Sequence, residues 1–126
     1  MNAIRSIWAA VGWFGIGLLL YLSLTPRPIE IPIESGDKYG HALAYALLTA
    51  WWAQLMTSYS VLMLRFVGLG VAIEFAQGWT GYRSFDVKDM LANTIGTAFG
   101  ALIAFVLPNV VDTINTLWNR LQGKKQ

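Results

Sequence analysis

A set of ionisable side chains in the middle of the chain could support acid–base chemistry. His41 is the only histidine and stands four residues after Asp37. Residues four apart share one face of a helix, so the imidazole could be oriented by Asp37, or alternatively by Glu74. Glu74 and Asp89 follow later in the chain. His41, Glu74 and Asp89 are therefore candidate catalytic residues, since histidine and carboxylates are the usual general acids and bases.

Basic and amide side chains close to these carboxylates could bind a charged ligand. Arg83 has Glu74, Asp86 and Asp89 as possible partners, because a guanidinium binds a carboxylate or phosphate through two parallel hydrogen bonds. Arg83 together with Lys38 could hold a phosphate at the level of lipid headgroups. The candidate ligand-binding residues are Asp37, Lys38, Gln77, Arg83, Asp86 and Asn93.

Other kinds of site have less support. His41, Asp37, Glu74 and Asp89 could chemically bind Mg²⁺ or Ca²⁺, but their spacing is not diagnostic, so we predict no metal and no cofactor. The absence of Cys excludes thiolate ligands and disulfides. Ser84 lacks the G-x-S-x-G context of a serine hydrolase. The basic residues are scattered, whereas a nucleic-acid-binding protein clusters them.

The polar set has a structural interpretation as well. Glu74, Gln77, Arg83 and Asn93 could form a hydrogen-bonded clasp that holds three helices together. A charge inside a membrane persists only if it is paired, protonated or facing water. The clasp and the functional site both meet that condition, so the two interpretations stay open.

The composition predicts an all-α, polytopic membrane protein. Hydrophobic residues make up 56% of the 126 residues and charged residues 13%, against about 25% charged in ordinary soluble domains. We expect four transmembrane helices and a C-terminal amphipathic helix in the membrane interface, all in one domain covering residues 1–126. A cleaved signal peptide fits the first apolar segment less well, because the segment is too long. The predicted segments are 7–24, 37–57, 61–79 and 90–107, followed by the amphipathic tail 109–126.

Four spans bring the polar residues to one membrane surface, because the second helix begins, the third ends and the fourth begins there. We expect no comparable cluster at the opposite surface. Gly96 and Gly100 form a G-x-x-x-G pair that lets helix backbones approach closely. Asp86 or Asp89 could cap the fourth helix, with Asp89 the better placed. The Pro-rich connection 25–36 is either a loop along the membrane surface or a flap over the site.

The distribution of basic residues sets the predicted orientation. Five lie on the side of the termini and four on the other side, which favours cytoplasmic termini. The cluster would then face outward. The five are Arg5, Arg65, Arg120, Lys124 and Lys125, and the four are Arg27, Lys38, Arg83 and Lys88.

The order and spacing of these residues resemble the VanZ-like family over residues 37–104. The matching pattern is Asp37-Lys38-x-x-His41-x-x-x-Tyr45, then Glu74-x-x-Gln77, then Arg83-Ser84-Phe85-Asp86-x-x-Asp89-x-x-x-Asn93-x-x-Gly96-x-x-x-Gly100. The first helix and the tail lie outside the resemblance. It implies a small bacterial inner-membrane protein, and the family's namesake is associated with low-level teicoplanin resistance.

The leading functional hypothesis is an outer-face pocket that binds a cell-envelope lipid or phosphorylated headgroup. The first alternative is a membrane-embedded hydrolase or transferase that uses His41 or Glu74 as acid or base, with Asp89 assisting. The second is a structural module that locks helices and docks a partner through its tail.

Overall fold

The computed structural model describes residues 2–123 and contains five α-helices in that range. No β-strand occurs in the described residues, so the predicted all-α class is confirmed. Lys124 and Lys125, which entered the orientation argument, lie outside the described residues together with the end of the predicted tail. The helices are α1 (Ala3–Leu24), α2 (Gly36–Ala53), α3 (Tyr59–Thr80), α4 (Val87–Val106) and α5 (Val110–Leu121).

Three helical segments are long and apolar enough to cross a membrane. They are Ala3–Leu24, Tyr59–Thr80 and Val87–Leu121, and the last of these segments includes both α4 and α5. α2 is not among them, because its first two turns carry Asp37, Lys38 and His41. The outer surface suits lipid: many large apolar side chains are more than half exposed, and water would penalise such a surface.

The closest helix contact joins α2 and α4. A Cβ atom added to Gly96 would overlap the carbonyl oxygen of Ala42, and one added to Gly100 would overlap that of Ala46. The two helices therefore approach at a distance that only glycine allows, as the G-x-x-x-G pair predicted. α3 packs against the same unit, with Gly70 facing Asn93.

Helix α1 is attached to α2 by a reciprocal pair of tryptophans. The Trp8 indole N–H donates to the Trp51 carbonyl, and the Trp51 indole N–H donates to the Trp8 carbonyl, each over 2.9 Å. The two rings stack with their centroids 3.8 Å apart. Both partly buried indole donors are thus satisfied, as tryptophan N–H groups usually are.

The helices alternate in direction. Trp8, near the start of α1, meets Trp51, near the end of α2. Ser23, at the end of α1, meets Gln77, near the end of α3. The ends of α1 and α3 and the starts of α2 and α4 therefore share one end of the bundle, which we call the polar end.

The connections at the polar end have specific backbone geometry. α3 ends at Thr80 and is followed by Gly81, whose φ of 78° lies in the left-handed region that favours glycine. α4 is capped by Asp86, whose carboxylate accepts the Lys88 backbone N–H over 2.8 Å. The preference for Asp89 as the cap is wrong: α4 begins at Val87, so Asp89 lies inside its first turn.

Helix α5 is amphipathic, as predicted. Asn109 caps it by accepting the Asp112 backbone N–H over 3.0 Å. Val111 is buried, whereas Leu117, Trp118 and Leu121 are more than half exposed. An apolar face left open on a helix with a polar opposite side is typical of a helix lying in the membrane interface.

Replacing Gly96 with alanine should destabilise the bundle, because the added methyl group overlaps the Ala42 carbonyl. We expect a loss of about 1–3 kcal/mol, typical of overpacking, seen as a lower melting temperature of the purified protein. Gly68→Ala is the matched control, since a Cβ there meets no atom within 4 Å. Equal melting temperatures for the two variants would contradict the proposed contact.

Candidate functional site

Lys38 is the electrostatic centre of the polar end. Its ammonium donates to Asp37 over 2.9 Å and to Asp86 and Asp89 over 3.1 Å each. An ammonium has three N–H donors, so these contacts use all of them. The lysine thus joins the first turn of α2, the cap of α4 and the first turn of α4.

Asp86 holds its negative charge strongly. The Lys88 backbone N–H, and then the Lys38 ammonium, lower the pKa of the Asp86 carboxyl. A lowered pKa means that this carboxylate adds stability above its ordinary pKa and loses that contribution as the pH falls through the lowered value. At neutral pH the link between Lys38 and Asp86 is intact.

His41 is held between two polar residues of α4. Its Nδ1 lies 3.0 Å from Asn93 Oδ1, and its Nε2 lies 3.7 Å from Asp89 Oδ2. The first distance is a hydrogen bond, while the second is too long for one. Since Asn93 Oδ1 can only accept, Nδ1 carries the proton in this arrangement and Nε2 points at the carboxylate.

Glu74 is fully buried within the bundle. Its Oε2 accepts the backbone N–H of Asp86 over 3.2 Å. Its Oε1 has no hydrogen-bond partner among the described residues. A buried carboxylate oxygen without a donor is costly, so this atom marks an unusual position in the fold.

Gln77 and Arg83 occupy the side of the polar end next to α1. The Gln77 amide donates to the Ser23 carbonyl over 2.8 Å. The Arg83 backbone N–H donates to the Thr80 hydroxyl over 3.3 Å. The Arg83 Nη1 is buried without a hydrogen-bond partner in the described part of the chain.

A cavity of about 450 Å³ opens among these side chains. Asp37, His41, Gln77, Arg83 and Asp89 line it from the helices and the α3–α4 connection. The 25–35 connection supplies another wall through residues 28–31, 33 and 35. The connection therefore forms part of the cavity wall, which is compatible with both the surface-loop and the flap interpretations.

An apolar groove of about 250 Å³ adjoins the cavity. Leu19 and Leu22 of α1 and Ala44 of α2 line it. Asp37, His41 and Arg83 border both spaces, together with Pro28, Ile29 and Ile31. Polar and apolar binding surfaces thus meet at one boundary.

The predicted site residues do come together, but with different partners from those expected. Arg83 forms no ion pair with Glu74, Asp86 or Asp89 in residues 2–123. Asp37 pairs with Lys38, and no hydrogen bond joins it to His41 in the described part of the chain.

The clasp of Glu74, Gln77, Arg83 and Asn93 is also absent, since none of its members is hydrogen-bonded to another within the described range. Glu74 instead accepts from Asp86, Gln77 donates to Ser23, and Asn93 contacts His41.

Several contacts escaped the sequence analysis. The Tyr82 hydroxyl donates to the Leu24 carbonyl over 2.6 Å and so ties the α3–α4 connection to α1. The opposite end of the bundle also carries polar contacts, although fewer ionisable groups meet there than at the polar end. There, Gln54 accepts the Val110 backbone N–H over 2.7 Å, and Arg5 contacts Asp112 over 3.3 Å. A single Gln that follows an apolar helix, such as Gln54, does not reveal in the sequence that it will bind the backbone at the start of another helix.

The model of the VanZ/LLP1 family matches residues 2–108. The chain belongs to this family. The predicted resemblance is confirmed, but its extent was underestimated, because the match includes α1. The tail from residue 109 onward lies outside the match, as expected.

A protein of Schizosaccharomyces pombe, described only as uncharacterized, is similar to the chain. The two are 30% identical over 90 residues, which cover 66% of this chain and 53% of the yeast protein. The chain thus spans about half the length of this relative. No solved structure matches. Because a yeast protein is similar, VanZ/LLP1 membership does not select a bacterial inner membrane, and that location stays a prediction.

Replacing Lys38 with glutamine should loosen the polar end, because three carboxylates lose their common partner. We expect a loss of stability of about 1–2 kcal/mol, within the range for hydrogen bonds to charged groups. The melting temperature should fall most at low salt, where the carboxylates repel each other most strongly. Lys88→Gln is the control, since the Lys88 side chain forms no ion pair in the described residues. Equal effects of the two variants would refute the central role of Lys38.

Proposed function

We propose that this protein binds a membrane lipid, with the polar headgroup in the cavity and an acyl or prenyl chain in the adjoining groove. The observation that carries this proposal is the shared boundary between the two spaces, formed by Asp37, His41 and Arg83. A ligand that is polar at one end and apolar at the other matches both. Lipids have this chemistry.

Arg83 is the residue that we assign to an anionic headgroup. Its Nη1 is buried, lacks a partner in residues 2–123 and belongs to a side chain that lines the cavity. A guanidinium is well suited to bind a phosphate. Lys38 is a poorer candidate than the sequence suggested, because its three donors already serve carboxylates.

We further propose that α2 is a fourth membrane span. α1 and α3 end together at the polar end, so they run in the same direction. If α1 and α3 both cross the membrane in the same direction, the chain must cross it in the opposite direction between them. α2 is the helix that lies between them and runs in that opposite direction. If the termini are cytoplasmic, the cavity lies at the outer face of the membrane. In a bacterium, this membrane would be the inner membrane.

A membrane-embedded hydrolase or transferase is the second candidate. The observation that favours it is the position of His41, which lines the cavity while Asn93 holds one of its ring nitrogens. A fixed imidazole beside a carboxylate is suited to acid–base catalysis. In this proposal the bound lipid is a substrate, and His41 acts on it with Glu74 or Asp89.

Filling the groove should remove bound lipid. Ala44→Leu places a larger side chain in the groove, whereas the control Ala98→Leu makes the same change on the exposed surface of α4. Mass spectrometry of protein extracted with its lipids should find a phosphorylated lipid on the wild type and on Ala98→Leu, and several-fold less on Ala44→Leu. Arg83→Gln should also lower the bound amount. Equal lipid content in all four proteins would disprove the proposal.

The catalytic alternative predicts turnover. The wild-type protein should release phosphate or a headgroup product from added phosphorylated lipids. His41→Gln should lower the rate of release at least about 100-fold, as expected for loss of a general acid or base. Lipid binding without product formation would exclude the enzyme and leave the binding function. Loss of folded protein in Arg83→Gln would instead favour a structural role for the polar end.

A further inference from the structure

We propose that His41, Glu74 and Asp89 bind one divalent transition-metal ion at the boundary between the bundle and the cavity. Each residue offers one ligand atom, and these atoms lie within 4.8 Å of one another. The residues come from three helices: α2, α3 and α4. The convergence is therefore a property of the fold and not of a local sequence motif, which is why spacing alone did not predict a metal.

Each of the three side chains has one polar atom fixed by a neighbour and a second atom left free. Asn93 holds His41 Nδ1, the Asp86 backbone N–H holds Glu74 Oε2, and Lys38 holds Asp89 Oδ1. The free atoms are His41 Nε2, Glu74 Oε1 and Asp89 Oδ2. Metal ligands in proteins are commonly oriented in this way, with an outer partner on the atom that does not bind the ion.

The burial of Glu74 is independent evidence for a ligand. The side chain is 0% exposed, and its Oε1 has no hydrogen-bond donor among residues 2–123. No lysine or arginine in the described residues forms an ion pair with it. A buried carboxylate normally has a cationic or hydrogen-bonded partner. A metal ion would supply that partner.

The separation of His41 and Asp89 fits a shared ion. Their facing atoms, Nε2 and Oδ2, lie 3.7 Å apart. Two ligand atoms that each lie ~2.1 Å from one ion are roughly 3.0 Å apart when the ligand–ion–ligand angle is 90°, and roughly 3.6 Å apart when it is 120°. In the neutral tautomer with the proton on Nδ1, Nε2 presents a lone pair toward Asp89 Oδ2, and a cation between the two atoms would be bound by both.

The ligand chemistry selects the class of ion. An imidazole nitrogen suits transition metals, while carboxylates suit Mg²⁺, Ca²⁺ and Mn²⁺. One imidazole with two carboxylates therefore favours Mn²⁺ or Zn²⁺ over Ca²⁺. Both His41 and Asp89 line the cavity, so the remaining coordination positions would face it. For the proposed lipid function, and resting on it, the ion would also offset the carboxylate charge that an anionic headgroup meets.

Direct titration of the metal-free full-length protein in detergent tests the site without any lipid. Chelator-treated protein is titrated with Mn²⁺, whose free form is followed by electron paramagnetic resonance, and with Zn²⁺ in competition. We expect one ion per chain. Glu74→Gln should weaken binding at least about tenfold, and His41→Gln should do the same.

The matched control is Asp112→Asn, which removes a carboxylate at the opposite end of the bundle and should bind Mn²⁺ as the wild type does. A second readout is thermal stability, because an ion that binds only the folded state raises the melting temperature. Mn²⁺ should raise it for the wild type and Asp112→Asn but not for Glu74→Gln.

Two results would overturn the site. The first is an absence of stoichiometric binding of either ion to the folded wild type. The second is equal binding by Glu74→Gln and Asp112→Asn. Since the titration contains no lipid, these results do not bear on the lipid proposal, and failure of lipid binding would leave the metal site standing.

Discussion

The contact between α2 and α4 determines where every polar group of the site can lie. Gly100 on Ala46 and Gly96 on Ala42 fix the relative position of the two backbones. One turn further along, the same faces bring Asn93 against His41, and another turn brings Asp89 against Lys38. The apolar contacts and the polar contacts are successive steps of one helix pair. Any change that shifts the glycines shifts the histidine and the lysine with them.

Charge at the polar end is distributed unevenly. Lys38 serves three aspartates, while Glu74, deeper in the bundle, has only a backbone N–H. A charged side chain at the centre of a membrane costs about 2.5–3.5 kcal/mol on insertion scales. Glu74 lies nearer the end of its helix than the centre of a membrane span, but its side chain is completely shielded from water. The fold thus places its least compensated carboxylate beside its only histidine.

Sequence reasoning predicted the helices, their convergence and the close glycine contact, because these follow from hydrophobic length and from small residues at helical spacing. It failed on individual partners. Arg83 was expected to pair with carboxylates, and Asp89 was preferred to Asp86 as the cap of α4, yet Arg83 lines the cavity and Asp86 is the cap. Such choices depend on helix rotation and on backbone carbonyls, such as that of Ser23, which a sequence does not display. The sequence predicted that His41, Glu74 and Asp89 meet at one end of the bundle, but it could not predict which of their atoms face each other.

Helix α1 is held by different neighbours at its two ends. Stacked indoles join it to α2 at one end, whereas Gln77 and Tyr82 join its last carbonyls to α3 and the following connection at the other. Near the polar end, α1 and α2 are therefore separated by the apolar groove instead of being joined. If the protein binds lipid as proposed, that separation would serve as a lateral entrance between the two helices. A molecule using it would enter from within the bilayer and reach the polar groups without passing through water.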